Sequence, residues 1–179
     1  MKMQTLLKFM TLFLLLQGCV KDTDFDQVDE VVLTPEIELD LVYFNLDTTD
    51  FFDNTTDTPK LTVRDTTALE FLDSNDITGA INKIDLLFEF KNSIPRTFDV
   101  DIDFLRNNND ITYSKGITVA AGSVNGDIET RYIDEVIGDD LNSIENASKV
   151  VVSVTIPSAD ASLSGNLALQ SKATYYIEY

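Results

Sequence analysis

The 179-residue chain has no His, no Trp and a single Cys. Without imidazole there is no His-based triad, no imidazole metal ligand and no His proton shuttle. One thiol closes no intramolecular disulfide and builds no Cys-based zinc or iron–sulfur site. Bases are scarce: 13 Lys and Arg stand against 31 Asp and Glu, for a formal charge of −18. That balance argues against nucleic acid and against a charge-driven hold on anionic lipid. No G-x-S-x-G or S-x-x-K motif and no Gly-rich phosphate loop is present, and Ser93, Ser123 and Ser153 have no nucleophile context. Paired carboxylates can hydrolyse glycosides without His, but no pair stands out among so many acids. The chain reads as non-catalytic. No internal repeat and no Pro/Gly/Ser-rich linker divides it, and its length fits one domain.

What is present begins at the N-terminus. Lys2 and Lys8 form a basic start, and the apolar run Phe9–Leu16 follows. That run is well short of the ~20 residues needed to span a bilayer. A basic start with a short apolar core is the pattern of a signal peptide. The run ends at Leu16-Gln17-Gly18-Cys19, where the only Cys follows Gly. This segment resembles the lipobox of bacterial lipoproteins, with Gln17 in the variable second place. The resemblance implies cleavage before Cys19, leaving residues 1–18 as the signal peptide, and attachment of lipid (palmitate-type acyl chains) to the Cys19 sulfur. Each buried CH₂ contributes about 0.8 kcal/mol, so two or more chains hold a protein firmly.

Residues 19–35 read as an acidic tether. From Val20 to Pro59 there are twelve acids and one base, Lys21. Lys followed by acids soon after the lipid Cys resembles the surface-export signal of lipoproteins in Bacteroidota. Plain solvation of a linker explains the same composition. Val20 stands where Asp resembles an inner-membrane retention signal, which leans toward the outer membrane. Cell surface and periplasmic face both stay open. The Asp22–Asp26 run lacks the Gly and Glu that a calcium loop needs at its sixth and twelfth places, which here hold Gln27 and Leu33.

Residues 36–179 alternate with period two. Ile37, Leu39 and Leu41 share a face, and Phe44 and Leu46 continue after a change of phase. Ile84 to Phe90, Phe98 to Phe104 and Val150 to Ile156 repeat the pattern, as does a long last segment through Leu167, Leu169, Ala173, Tyr175 and Ile177. Turn residues separate these segments at Asp53–Thr56, Asp73–Asp76, Arg106–Asp110, Gly122–Gly126 and Pro157–Gly165. Ile133, Val136, Ile137, Leu141 and Ile144 follow helical spacing, which predicts at most one short helix within 133–147. Short strands with one polar face predict an all-β antiparallel sandwich, immunoglobulin-like or jelly-roll-like, with strand order unspecified.

The segments around Phe90 and Phe98 suggest a hairpin across Asn92–Arg96. Of two registers that put both apolar sets on one face, one sets Lys91 opposite Asp99 and Glu89 opposite Asp101, and the other sets Glu89 opposite Asp99 and Asp85 opposite Asp103; either leaves Glu89 facing an Asp, and like charges directly opposite are destabilising. A base from a neighbouring strand, exposure to water, or a calcium ion on Glu89, Asp99, Asp101 and Asp103 would relieve the repulsion. Asp47-Thr48-Thr49 and Asp65-Thr66-Thr67 resemble the O-glycosylation acceptor of Bacteroidota, which would place sugar on Thr48 and Thr66. Tyr43, Tyr113 and Tyr132 are candidate platforms for a sugar ring, against a buried role in strands.

These readings converge on a lipid-anchored, non-catalytic envelope protein of the outer membrane. It would bind a protein or glycan or serve a structural role, with no cofactor beyond the lipid on Cys19. The alternative is a periplasm-facing carrier of a lipid or other hydrophobic ligand, held in a cavity between the sheets.

Overall fold

The structure is a computed structural model that describes residues 34–70, 79–123 and 126–178. The lipobox, most of the tether and the expected turn at Asp73–Asp76 lie outside the described residues. Ten strands form: β1 (Glu36–Asp47), β2 (Phe52–Asp53), β3 (Thr58–Pro59), β4 (Thr62–Ala68), β5 (Ile81–Asn92), β6 (Phe98–Leu105), β7 (Ile111–Val119), β8 (Ile128–Val136), β9 (Lys149–Thr155) and β10 (Asn166–Ile177). Among the described residues one α-helix, α1, spans Gly138–Glu145.

The long strands build two four-stranded antiparallel sheets, ordered β1-β10-β5-β8 and β4-β9-β6-β7, while β2 and β3 pair as a small ribbon. Among the long strands of the described residues, only β6 and β7, joined through the turn at 106–110, are consecutive partners in one sheet; each other connection between them crosses to the opposite sheet. Eight strands wound this way make a jelly roll. The immunoglobulin order is a different one.

Alternation explains the core. Ile84, Leu86, Phe88 and Phe90 of β5 face Phe98, Val100, Ile102 and Phe104 of β6 from the opposite sheet, each at most 1% exposed. On β10 the inward set is Leu167, Leu169, Ala173, Tyr175 and Ile177, all buried. The phase change in β1 is a β-bulge. Register shifts between Asp40 and Tyr43, so Leu41 and Val42 together oppose Ser171. Ser171 Oγ accepts from Val42 N at 2.9 Å and donates to Val42 O at 2.8 Å, satisfying the backbone that the bulge unpairs.

One expectation is corrected. The segments around Phe90 and Phe98 do not form a hairpin: β5 and β6 lie in different sheets, and 93–97 is a crossover. Ile94, wholly buried, and Asn92, whose amide donates to Arg96 O and Ala120 O and accepts from Ile94 N, anchor that crossover. The short helix expected within 133–147 is present as α1. Ile133 and Val136 belong to β8, and only Leu141 and Ile144 of that set are buried by α1. Gly138, at φ 61°, lets the chain turn from strand into helix, and Asp139 and Asp140 suit the helix's positive end.

The strands β7 and β8 are edges of opposite sheets, and both turn polar side chains inward. Asp134 of β8 accepts from the Tyr113 hydroxyl and from Lys115 Nζ (2.7 Å), and Lys115 Nζ lies 5.1 Å from the Tyr132 ring centre. Burial and the hydrogen bond to Asp134 push the Tyr113 hydroxyl well above its usual pKa, and the Asp134 hydrogen bond raises Lys115. Inward charges on edge strands also discourage pairing with another chain.

Candidate functional site

The outer face of the β1-β10-β5-β8 sheet is built from the residues that alternate away from the core. Its register sets Tyr43, Gln170, Glu89 and Arg131 side by side in one row across all four strands. The next row is Asn45, Ala168, Lys91 and Glu129. On the other side lies Asp40, Lys172, Leu87 and Ile133. Two overlapping depressions of about 310 and 580 Å³ occupy this face and share Tyr43, Glu89, Arg131 and Gln170.

Each feature has a local cause. The bulge ends at Tyr43, which points outward and is 67% exposed. Tyr43 makes no hydrogen bond, ion pair or ring contact among the described residues, and the same holds for the Gln170 amide. Ala168, between Asn45 and Lys91, leaves the floor low where a longer side chain would fill it. Further along the same face, Tyr176 is already engaged: Lys83 Nζ sits 3.9 Å from its ring centre, and its hydroxyl donates to Asp85.

Ion pairs lie on this face. Arg131 Nε donates to Glu89 Oε1 at 3.0 Å, Lys91 Nζ lies 3.5 Å from Glu129 Oε1, and Lys172 Nζ donates to Glu38 at 2.9 Å. The residues lining the two depressions carry three bases and three acids, so the groove is formally neutral in a chain of net −18.

The like-charge conflict at Glu89 does not arise: β5 pairs with β10 and β8, so Glu89 lies between Gln170 and Arg131 and opposite no Asp. Asp99, Asp101 and Asp103 lie on the outer face of the other sheet, so the structure does not bring the four carboxylates together. There they are flanked by Thr118 and Thr155, Gly116 and Ser153, and Ser114 and Val151. Among the described residues, no three His, Cys, Asp or Glu side chains are grouped to hold a metal. Thr48 is half-buried in the short 3-10 turn after β1, and Thr66 is exposed on the edge strand β4. Ser93 hydrogen-bonds Asn166, and Ser153 is buried in β9. Of the three candidate tyrosines, Tyr43 alone faces out; Tyr113 and Tyr132 turn inward with Asp134. Sequence reasoning missed Gln170, Arg131, Ala168 and Lys91 as a site, because their strands are far apart in the chain. Only the phase change before Tyr43 hinted at it.

No family model matches the chain, and no curated protein matches it. Solved structures match at low identity. The VP2 subviral particle of infectious bursal disease virus gives a TM-score of 0.46 at 8% identity, over 80% of this chain and 32% of that one. A protein from Parabacteroides distasonis gives 0.43 at 13%, over 67% and 39%. Desmodium yellow mottle tymovirus gives 0.33 at 11%, over 83% and 89%. The chain thus spans about a third of the VP2 chain, and at such identities nothing about activity transfers.

Proposed function

We propose that this protein is a lipid-anchored, non-catalytic component of the outer membrane that uses the outer face of the β1-β10-β5-β8 sheet to bind a protein or glycan. The observation that carries the binding half is the row from Tyr43 to Arg131, with an uncommitted aromatic ring and an uncommitted amide over a depression. The anchoring half rests on the lone Cys at the end of Leu16-Gln17-Gly18-Cys19. The mature chain from Cys19 carries a net charge of −20. Anionic headgroups repel such a domain, so an acidic tether that holds it off the membrane suits it.

The carrier reading is weaker. The apolar faces of β5 and β6 are buried, and a crevice between the sheets, where Phe44 and Leu46 approach Val63, is about 170 Å³. Pockets for small molecules run from about 300 Å³ upward.

Replacing Cys19 by Ser tests the anchor. The variant is expected to leave the membrane fraction of the native host, with the wild type retained. Equal retention of both would refute lipid attachment at Cys19. Protease treatment of intact cells, with a periplasmic protein as leakage control, then assigns the domain to the surface if it is cleaved. If cleavage follows only after lysis, the domain faces the periplasm.

A further inference from the structure

We infer that the groove on the outer face of the β1-β10-β5-β8 sheet binds an uncharged polysaccharide, with a sugar ring stacked on Tyr43. This rests on the reading of that face as the ligand surface and narrows it to one chemical class. Three observations support it.

First, Tyr43 offers what a pyranose needs. A sugar ring has an apolar face of C–H bonds and a rim of hydroxyls. It gains from a flat aromatic surface beside polar groups. Tyr43 is 67% exposed and unengaged, whereas the ring of Tyr176 on the same face is occupied by Lys83.

Second, the polar groups beside Tyr43 suit hydroxyls. The Gln170 amide offers both donors and an acceptor. Arg131 spends only its Nε on Glu89, which leaves the rest of its guanidinium as donors, and the second Glu89 oxygen accepts. At the far end, Asn166 donates to Asn45 Oδ1 at 3.0 Å and accepts from Ser93 Oγ at 2.9 Å, which fixes both amides at the groove wall. These two amides are thereby pre-organised, and their ordering cost falls on folding instead of on binding.

Third, electrostatics selects against charged ligands. A chain of −18 repels a polyanion at long range, and the groove offers no excess of bases to offset this. A polycation would instead favour the outer face of the other sheet, where Asp99, Asp101 and Asp103 run along β6 with no base opposite them. A neutral chain has neither conflict. The depressions extend across all four strands and are open, which suits several residues of a polymer more than a single enclosed sugar.

The test is affinity electrophoresis of the full-length protein in detergent, through native gels containing amylopectin, dextran, laminarin, arabinoxylan, galactomannan or yeast mannan. Polygalacturonate and chondroitin sulfate serve as acidic comparisons. At least one neutral polymer should retard the wild type. Tyr43→Ala should weaken that retardation about tenfold or more, as expected for loss of a stacking platform. Asp99→Asn, on the opposite sheet, should leave it unchanged. Circular dichroism of Tyr43→Ala confirms its fold. Migration unaffected by all neutral polymers, retardation by the acidic ones alone, or full binding by Tyr43→Ala would each overturn the inference. A photo-crosslinking amino acid placed at position 43 in living cells separates this failure from failure of the broader reading. A discrete protein adduct without glycan retardation retains the face as a ligand surface and removes the polysaccharide. Absence of both removes the face as well.

Discussion

Replacing Asp134 by Ala strands a cation between the two sheets. Asp134 is the shared acceptor for the Tyr113 hydroxyl and the Lys115 ammonium, and the Tyr132 hydroxyl lies 3.4 Å from it. Its side chain is 11% exposed, and that of Lys115 is 29% exposed. Removing one partner of a fully buried pair costs about 3–5 kcal/mol, chiefly because the other charge loses its compensation. Lys115 keeps partial access to water, so the lower end applies, about 3 kcal/mol. With a urea slope of about 2 kcal/mol per molar, the unfolding midpoint should fall by about 1.5 M at unchanged slope. The double variant Lys115→Met with Asp134→Leu leaves no stranded charge and should regain most of that loss. A loss under about 1 kcal/mol for Asp134→Ala, or strict additivity in the double variant, would refute the view that this network is an interdependent closure of the β7–β8 side.

The remaining predictions concern backbone packing and pH. Gly122→Ala would place a Cβ 2.5 Å from the Ser93 carbonyl carbon and 2.6 Å from Asn92 O, both backbone atoms of the crossover. We expect a cost above about 2 kcal/mol, read as a fall of about 6 °C in melting temperature; a fall within error would contradict the close approach. In acid, Asp47, Asp53 and Asp160 matter, because hydrogen bonds from Thr49, Thr55 and Ser162 hold their carboxyls below the ordinary 3.8. Their stabilisation is complete above 3.8 and is lost as pH falls through the lower folded values, so urea midpoints should drop only below about pH 4. In alkali the sign reverses. Burial pushes Tyr175 up to about 12, so its contribution is whole below 10 and vanishes as pH rises toward 12. Its phenolate absorbance should appear together with loss of the β-sheet dichroism.

Much of the fold was legible because burial in a sandwich is written with period two. The apolar sets of β5, β6, β9 and β10 all face the core, and even the bulge in β1 showed as a change of phase between Leu41 and Phe44. Strand order was not legible. Whether Glu89 meets an Asp or Arg131 depends on which strands pair, and proximity along the chain favoured a hairpin that the buried Ile94 and Asn92 convert into a crossover. The helix was blurred for a related reason: Ile133 and Val136 fit helical spacing by chance while obeying the alternation of β8. The candidate site shares this fate. Tyr43, Gln170, Glu89 and Arg131 come from four strands and become neighbours only through the jelly-roll order.

Mass spectrometry of the N-terminal fragment of protein purified from the native host's membranes is the most direct test of a binding domain tethered by lipid on Cys19. A fragment beginning at Cys19 is expected, its mass raised by a diacylglyceryl group and lowered by mild hydrolysis of the ester-linked chains to that of the glyceryl thioether. A fragment beginning elsewhere, or an unmodified Cys19 thiol, would contradict it.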